Sequence, residues 1–178
     1  MASLIDRLKI GFHWRGDGEV AFADVTEWWR DPVVLRDLPP ALAALVPGEP
    51  TVVIGPASRG TLLGALVAAH LGVGLVELRK NDRVAEHAPE FLTHQLPRSY
   101  HEGGARLSFR RALIRPADRV LCVDDWIETG AQALAARSLV TSIGAAWLGT
   151  ACVVSDLPAG APAAGELGLR WLLHADEL

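Results

Sequence analysis

Short apolar runs alternate with amphipathic segments along most of the chain. The run at 51–54 ends at a Gly-Pro pair, which predicts a buried strand. Residues 59–71 place leucine and valine at helical spacing and stop at Gly72, which predicts a helix with a glycine at its C-terminal end. The apolar run at 73–78 predicts the next strand. This part of the chain therefore predicts a β-α-β unit.

The second half of the chain repeats the same order. An apolar run at 119–124 predicts a strand that ends in two acids, and the alanine- and leucine-rich segment 130–143 predicts a helix. Further strands are predicted at 145–154 and at 169–173. Repeated strand-helix-strand units indicate an α/β fold with a mainly parallel sheet flanked by helices. In such sheets, ligands bind beyond the carboxyl ends of the strands.

The amino-acid composition excludes several classes of protein. The 178 residues fit one domain, and 50% of them are hydrophobic while 21% are charged, which excludes disordered, collagen-like and disulfide-scaffold chains. The formal net charge is -4. Because this charge gives no general attraction to polyanions, we expect no DNA or membrane partner, and an RNA partner is not favoured. Any anion must then bind at a local site.

The cysteines and the longest apolar segment indicate the compartment. Cys122 and Cys152 lie inside apolar runs, which is typical of buried thiols in a reducing compartment. The N-terminus lacks the layout of a signal peptide. The apolar segment 62–78 is interrupted by His70 and Glu77, so it predicts a buried helix and strand and not a membrane span. We expect a cytoplasmic protein.

Two predicted strand ends carry the candidate chemistry. One is Gly-Pro-Ala-Ser-Arg-Gly at 55–60, and the other is Asp-Asp-Trp-Ile-Glu-Thr-Gly at 124–130. Two adjacent carboxylates repel each other, and hydroxyl groups or a metal would relieve that repulsion. Thr129 and Gly130 then open a helix, whose N-terminal N–H groups suit a phosphate. This loop fits ribose 5-phosphate, and the alternative is an acidic cap on an ordinary helix.

Residues 120–130, Val-Leu-Cys-Val-Asp-Asp-Trp-Ile-Glu-Thr-Gly, resemble the phosphoribosyl pyrophosphate (PRPP) signature of type I phosphoribosyltransferases. Other segments resemble adenine phosphoribosyltransferases in the same order: 22–26, 54–60, 78–80 and 99–102. The resemblance implies the type I phosphoribosyltransferase fold in a single domain, 1–178. A small N-terminal hood, about 1–30, would cover a core, about 31–178, with a mainly parallel sheet flanked by helices and a mobile hairpin lid.

The same resemblance implies the activity. A glycosyltransferase of this family uses Mg²⁺ and transfers ribose 5-phosphate from PRPP to a purine-type base, here adenine-like, and releases pyrophosphate. It also implies a homodimer. Ala57, Glu128, Ala131 and Gln132 depart from the usual family residues, and two alternatives stay open. One is a non-catalytic regulatory protein that senses PRPP, and the other is a phosphoribosyltransferase for another heterocyclic acceptor.

By resemblance, the site residues divide into groups with separate roles. Asp124 and Asp125 hold the ribose hydroxyls, directly or through water bound to Mg²⁺. The residues expected to bind the 5-phosphate are Thr129, Gly130, Ala131 and Gln132. The residues expected to bind pyrophosphate are Ala57, Ser58, Arg59, Gly60, Arg79 and Lys80, with a cis peptide bond at Ala57–Ser58. Phe22 is expected to stack on the base, and Trp126 forms either a wall of the base pocket or part of the core.

Two glutamates are candidates for the proton carrier. Glu102 falls where the family has its mobile catalytic loop, and its alternative is an ordinary surface acid. Glu128 sits beside the predicted phosphate site. A carboxylate about 6 Å from a phosphate would cost roughly 3 kcal/mol at an effective dielectric constant of 20. We therefore expect the Glu128 carboxylate to point away from the phosphate, either toward the base or toward an arginine.

Overall fold

The computed structural model describes residues 2–17, 22–81, 83, 85, 87–97 and 104–178. Its helices are α1 (Leu4–Ile10), α2 (Thr26–Arg30), α3 (Pro32–Leu45), α4 (Arg59–Leu71), α5 (Ala131–Ser142) and α6 (Pro162–Leu167). Its strands are β1 (His13–Arg15), β2 (Phe22–Asp24), β3 (Val52–Pro56), β4 (Gly74–Lys80), β5 (Phe91–Gln95), β6 (Arg106–Arg110), β7 (Arg119–Ile127), β8 (Ala146–Ser155) and β9 (Leu169–His174). Within the described ranges, no helix is long and apolar enough to cross a membrane.

Seven strands form one sheet in the order β5-β6-β4-β3-β7-β8-β9. Five adjacent strands run parallel to one another: β4, β3, β7, β8 and β9. Strand β6 runs antiparallel to both of its neighbours, β4 and β5. The mainly parallel α/β architecture predicted from the sequence is therefore confirmed. Strands β5 and β6 form a hairpin at one edge of the sheet. Within the connection between them, residues 98–103 lie outside the described part of the chain.

Helices cover both faces of the sheet, so both faces of its strands are buried. On β7, Leu121 and Val123 pack in one core cluster with Leu63 of α4. Cys122, on the opposite face of the same strand, packs in a second cluster with Val140 of α5. This alternation follows from the two-residue period of a strand. Cys122 and Cys152 are free and buried, as the sequence predicted.

A separate two-stranded antiparallel sheet, β1–β2, lies in the N-terminal segment with α1 and α2. The buried Trp28 of α2 donates a hydrogen bond from its indole nitrogen to the Leu8 carbonyl of α1, at 2.8 Å. At the end of β2, Asp24 accepts hydrogen bonds from Thr26 N at 3.0 Å, Thr26 Oγ1 at 2.6 Å and Arg15 Nε at 3.0 Å. Asp24 therefore joins β1 to the start of α2.

We expect Asp24→Asn to reduce the acid sensitivity of this segment. Hydrogen bonds, first from the Thr26 side chain, then from the Thr26 backbone and from Arg15, lower the pKa of Asp24 to about 2. A lowered pKa contributes stability that is present above the unfolded-state value and is lost as the pH falls through the folded-state value. Thermal melts of the wild type should therefore lose stability between about pH 4 and pH 2.

The Asp24→Asn variant should start with a lower Tm at pH 7 and lose less stability over the same pH interval. Asp17→Asn, which changes an exposed aspartate of the same segment, is the matched control and should behave as the wild type. Equal losses of Tm in the wild type and in Asp24→Asn would contradict the prediction.

Candidate functional site

The carboxyl ends of β3 and β7 are neighbours in the sheet, and a cleft of about 270 Å³ lies beyond them. Two loops and one strand end line it. The lining residues are Pro56, Ala57, Ser58, Arg59, Gly60, Lys80, Asp124, Asp125, Trp126, Ile127, Glu128, Thr129, Gly130, Ala131, Gln132 and Ala133. The parallel topology thus brings together segments that are about 65 residues apart in the sequence.

The first loop leads from β3 into α4. Strand β3 ends at Pro56, the Ala57–Ser58 peptide bond is cis, and α4 begins at Arg59. Ser58 makes no side-chain cap hydrogen bond, so the side chain of the cap residue leaves the N–H groups of the first turn unused. An uncapped helix N-terminus at a cleft favours an anion. The cis bond lies where the sequence resemblance predicted it.

The second loop leads from β7 into α5. Gly130, the N-cap, has a φ of +74°, a conformation that side chains rarely adopt, and it provides no capping group. Ala131 begins the helix with a negative φ, and its N–H donates to Thr129 Oγ1 at 3.3 Å. The negative φ shows that alanine fits this position without backbone strain. Like Ser58 at α4, the N-cap residue Gly130 provides no side-chain cap, and Thr129 accepts a hydrogen bond from the first N–H of α5.

A buried acid pair lies between these two helix N-termini. Asp124 is 7% exposed and Asp125 is 4% exposed. The backbone N–H of Asp125 donates to Asp124 Oδ1 at 2.9 Å, and Arg59 Nε lies 2.9 Å from Asp125 Oδ2. Burial, followed by the charge of Asp125, raises the pKa of Asp124 well above its usual range. Burial and mutual repulsion therefore disfavour two full negative charges on the pair, and a cation or hydrogen-bond donors in the cleft would relieve that repulsion.

Gly60 is required by the close approach of α4 to this acid pair. A Cβ atom at position 60 would lie 2.6 Å from Asp124 Oδ1, 2.9 Å from Pro56 Cδ and 3.1 Å from the Val123 carbonyl oxygen. Distances below 3.0 Å force one of the groups to move. The backbone of the first loop therefore packs directly on the carboxylate of the second loop.

Most of the residues singled out from the sequence lie in the cleft lining, and two of the described ones, Arg79 and Phe22, do not. Lys80 lines the cleft, whereas Arg79, the residue before it, is exposed and has its Nε 3.3 Å from Glu77 Oε2. Consecutive strand residues point to opposite faces, which explains the difference. Phe22 lies on β2 and is 60% exposed. Glu102 lies outside the described residues.

Trp126 both packs and lines the cleft. Its ring stacks on Phe12, with centroids 5.8 Å apart and planes 15° apart, and meets Trp14 edge-on at 6.0 Å. Trp126 therefore packs against other aromatic side chains, as one alternative expected, and the base-pocket alternative stays a prediction. Sequence reasoning missed Phe12 and Trp14. Their signal was an aromatic pair at positions i and i+2 in the segment expected to cover the base.

The ends of β8 and β9 add charged groups next to Glu128, which the sequence analysis also missed. Glu128 is exposed in the cleft lining, and burial, followed by the charge of Glu128, raises the pKa of Asp156. His174 Nε2 lies 3.0 Å from the Leu157 carbonyl oxygen, and its Nδ1 lies 3.2 Å from Asp176 Oδ2. The bond to Leu157 is the first cause that raises the pKa of His174. Asp156 therefore lies close enough to both Glu128 and His174 to feel their charges.

The donor set fits a divalent cation that is shared with a substrate. In the described part of the chain, no three His, Cys, Asp or Glu side chains form a group that could hold a metal by themselves. Asp124 and Asp125 nevertheless present hard carboxylate oxygens, and Asp125 Oδ2 accepts no hydrogen bond within that part of the chain. Mg²⁺ keeps several waters and binds through one or two carboxylates together with substrate phosphates.

Comparison with known proteins decides the family. The family model of the phosphoribosyl transferase domain matches residues 42–164, which include both loops of the cleft. The chain belongs to the phosphoribosyltransferase family. It is 36% identical over 157 residues to the adenine phosphoribosyltransferase of Methylococcus capsulatus, a match that covers 87% of this phosphoribosyltransferase and 89% of the relative.

Solved structures agree with this assignment. The phosphoribosyltransferase superposes on adenine phosphoribosyltransferase from Rhodothermus marinus with a TM-score of 0.78 and 28% identity, covering 96% of this chain and 98% of the other. The enzyme from Giardia lamblia, solved with 9-deazaadenine, gives a TM-score of 0.80 at 25% identity and covers 98% of each chain. Both similarities extend over almost the whole length of the fold.

Proposed function

We propose that this phosphoribosyltransferase transfers ribose 5-phosphate from PRPP to a ring nitrogen of adenine, giving AMP and pyrophosphate. The observation that carries the proposal is the arrangement of one cleft, in which two helix N-termini flank a buried acid pair. PRPP has two phosphate ends separated by a ribose with two hydroxyls, so its charges and hydroxyls follow the same order. The relatives named above support adenine as the acceptor.

Each part of the cleft would hold one part of PRPP. The N-terminus of α4, with the loop 57–60 and Lys80, would bind pyrophosphate, and the loop 129–132 at the start of α5 would bind the 5-phosphate. The acid pair would accept hydrogen bonds from the ribose hydroxyls. Holding both ends in this way would fix the ribose in line with the acceptor, and such positioning can supply a large part of a catalytic advantage.

The acid pair also stabilises the developing charge. The ribose becomes cationic as pyrophosphate departs, and an ionised acid pair beside it would favour that charge. Asp124 and Asp125 would hold Mg²⁺ through water and substrate oxygens. When bound, the metal neutralises the charge on the departing pyrophosphate. To join Lys80 at the pyrophosphate, the Arg79 side chain would leave Glu77 and turn toward the cleft.

The base would lie against aromatic side chains. Trp126, fixed by Phe12 and Trp14, would form one wall of the base pocket, and Phe22 would stack on the base from the N-terminal segment. A proton must leave or reach the base during transfer, and Glu102 and Glu128 are the two candidates for its carrier. Glu128 lines the cleft, which supports its candidacy.

The proposal includes a homodimer in the cytoplasm that has PRPP and adenine as partners and no nucleic-acid or membrane partner. The two free, buried cysteines support a reducing compartment. The net charge of -4 supports the absence of a polyanionic partner.

A pyrophosphate-release assay tests this function. The purified protein is incubated with PRPP and Mg²⁺ and with adenine, hypoxanthine, guanine, uracil or no base. We expect adenine to give the fastest release, with Asp125→Asn as the inactive control. Binding of PRPP without release for any base would support the sensing alternative, and faster release with another base would support a different acceptor. Either result would contradict the proposal.

A further inference from the structure

Arg59 and Asp125 form an ionic contact across the cleft. Arg59 is the first residue of α4, in the loop proposed to bind pyrophosphate, and Asp125 belongs to the acid pair proposed to bind the ribose. Arg59 Nε nevertheless lies 2.9 Å from Asp125 Oδ2. The Arg59 side chain is 42% exposed, whereas the Asp125 residue is 4% exposed. The half-exposed guanidinium of Arg59, which can rotate, therefore contacts the buried carboxylate of Asp125. The inference below rests on the proposed function, because it concerns how PRPP enters this cleft.

The contact supplies charge without a directed hydrogen bond. Within the described residues, Asp125 Oδ2 is buried and accepts no hydrogen bond, although Arg59 Nε is close, because the N–H does not point at the oxygen. A buried carboxylate oxygen without a donor is costly. A ribose hydroxyl or a metal-bound water could make the missing hydrogen bond. The contact with Arg59 is therefore weaker than a bidentate pair and can be exchanged.

The contact between Asp124 and Gly60, by contrast, does not depend on a rotatable side chain from α4. Asp124 is held by the Asp125 backbone N–H and is packed directly against the backbone of Gly60. The two loops of the cleft are thus joined by one fixed contact, at Gly60, and one contact that depends on a rotatable side chain, at Arg59. Movement of Arg59 requires no movement of the loop backbone.

We propose that Arg59 serves two partners in turn: it is the counter-ion of Asp125 before substrate binds, and it moves to the pyrophosphate group when PRPP binds with its divalent metal. The exchange keeps the charge at Asp125 compensated at each stage. It also opposes the binding of a free divalent cation, since a guanidinium already lies against the same carboxylate. The metal would therefore enter together with PRPP.

Binding of Mn²⁺ alone, followed by calorimetry or by electron spin resonance, tests the exchange. We compare the wild type with Arg59→Gln, which removes the charge, and with Arg59→Lys, which keeps it. Arg36→Gln is the matched control, because Arg36 is exposed and pairs with Asp37 outside the cleft lining. Thermal melts of all four proteins establish that each is folded.

Without PRPP, we expect Arg59→Gln to bind Mn²⁺ about tenfold more tightly than the wild type, because a cation beside the carboxylate has been removed. Arg59→Lys and Arg36→Gln should match the wild type. With PRPP present, Arg59→Gln should bind the Mn²⁺–PRPP complex about tenfold more weakly, because a pyrophosphate ligand is missing. One substitution should thus change the two affinities in opposite directions.

Unchanged or weaker binding of Mn²⁺ alone by Arg59→Gln would overturn the proposal, because Arg59 would then not oppose the metal. Equal tightening in Arg59→Lys would overturn it too, since the effect would not depend on charge. Unchanged binding of Mn²⁺–PRPP would show that Arg59 does not move to pyrophosphate. If no protein bound PRPP while Arg59→Gln still gained affinity for Mn²⁺, the proposed function would fail and the counter-ion role would stand.

Discussion

Gly60→Ala is expected to lower kcat/KM for PRPP by about 100-fold or more, because a displacement of about 1 Å in a positioned group has that effect. The added methyl group would lie 2.6 Å from Asp124 Oδ1 and 2.9 Å from Pro56 Cδ. Neither neighbour is the free end of a flexible chain: Asp124 is buried and holds the Asp125 backbone, and Pro56 ends β3. The substitution therefore separates the pyrophosphate loop from the acid pair.

Steady-state kinetics with varied PRPP measure this loss. Gly74→Ala is the matched control, since nothing lies within 4 Å of a Cβ added there. That variant should keep the wild-type kcat/KM. A Gly60→Ala enzyme with wild-type kinetics would show that the contact between the two loops does not position PRPP.

Glu102→Gln is expected to lower kcat by about 100-fold, the lower end of what a general acid or base contributes. Glutamine keeps the size and hydrogen-bonding ability of the side chain and removes its ability to carry a proton. The rate should therefore fall with little change in KM for adenine. Single-turnover measurements separate this chemical step from product release.

Glu128→Gln is the comparison that assigns the proton carrier. The Glu128 carboxylate lines the cleft close enough to Asp156 to raise its pKa, and His174 belongs to the same group of charges. We expect this variant mainly to raise KM for adenine, since it changes the charge at the edge of the base pocket. A large loss of kcat in Glu128→Gln with none in Glu102→Gln would reverse the assignment. Full rates in both variants would contradict it.

The sequence predicted the sheet and its helices well where one local signal decided the structure. Helix α4 begins and ends at the residues expected, because helical spacing and Gly72 both act locally. The strand ends were less accurate: β7 continues to Ile127, three residues beyond the predicted end, and β3 continues to Pro56. Those extra residues are held by pairing with neighbouring strands, which a local pattern does not contain.

Sequence motifs predicted most of the residues that line the cleft, but they did not predict the contacts between residues from distant parts of the chain. The residues of both loops were identified from the sequence, since strand ends of a parallel sheet meet at one edge. The contact of Arg59 with Asp125 and the stacking of Phe12 on Trp126 join residues 66 and 114 positions apart. Asp156 and His174 were missed for the same reason. Such pairs depend on the register and packing of distant elements.

The position of β7 has a consequence for synthesis of the protein. This strand lies between β3 and β8, contributes to both core clusters and carries the acid pair, yet it begins only at Arg119, with a third of the chain still to come. A nascent chain that ends before it has an unpaired edge on β3 and only part of each core, a state prone to aggregation. On the ribosome, stable folding of the sheet and the capacity to bind substrate therefore arise together, once β7 has been made.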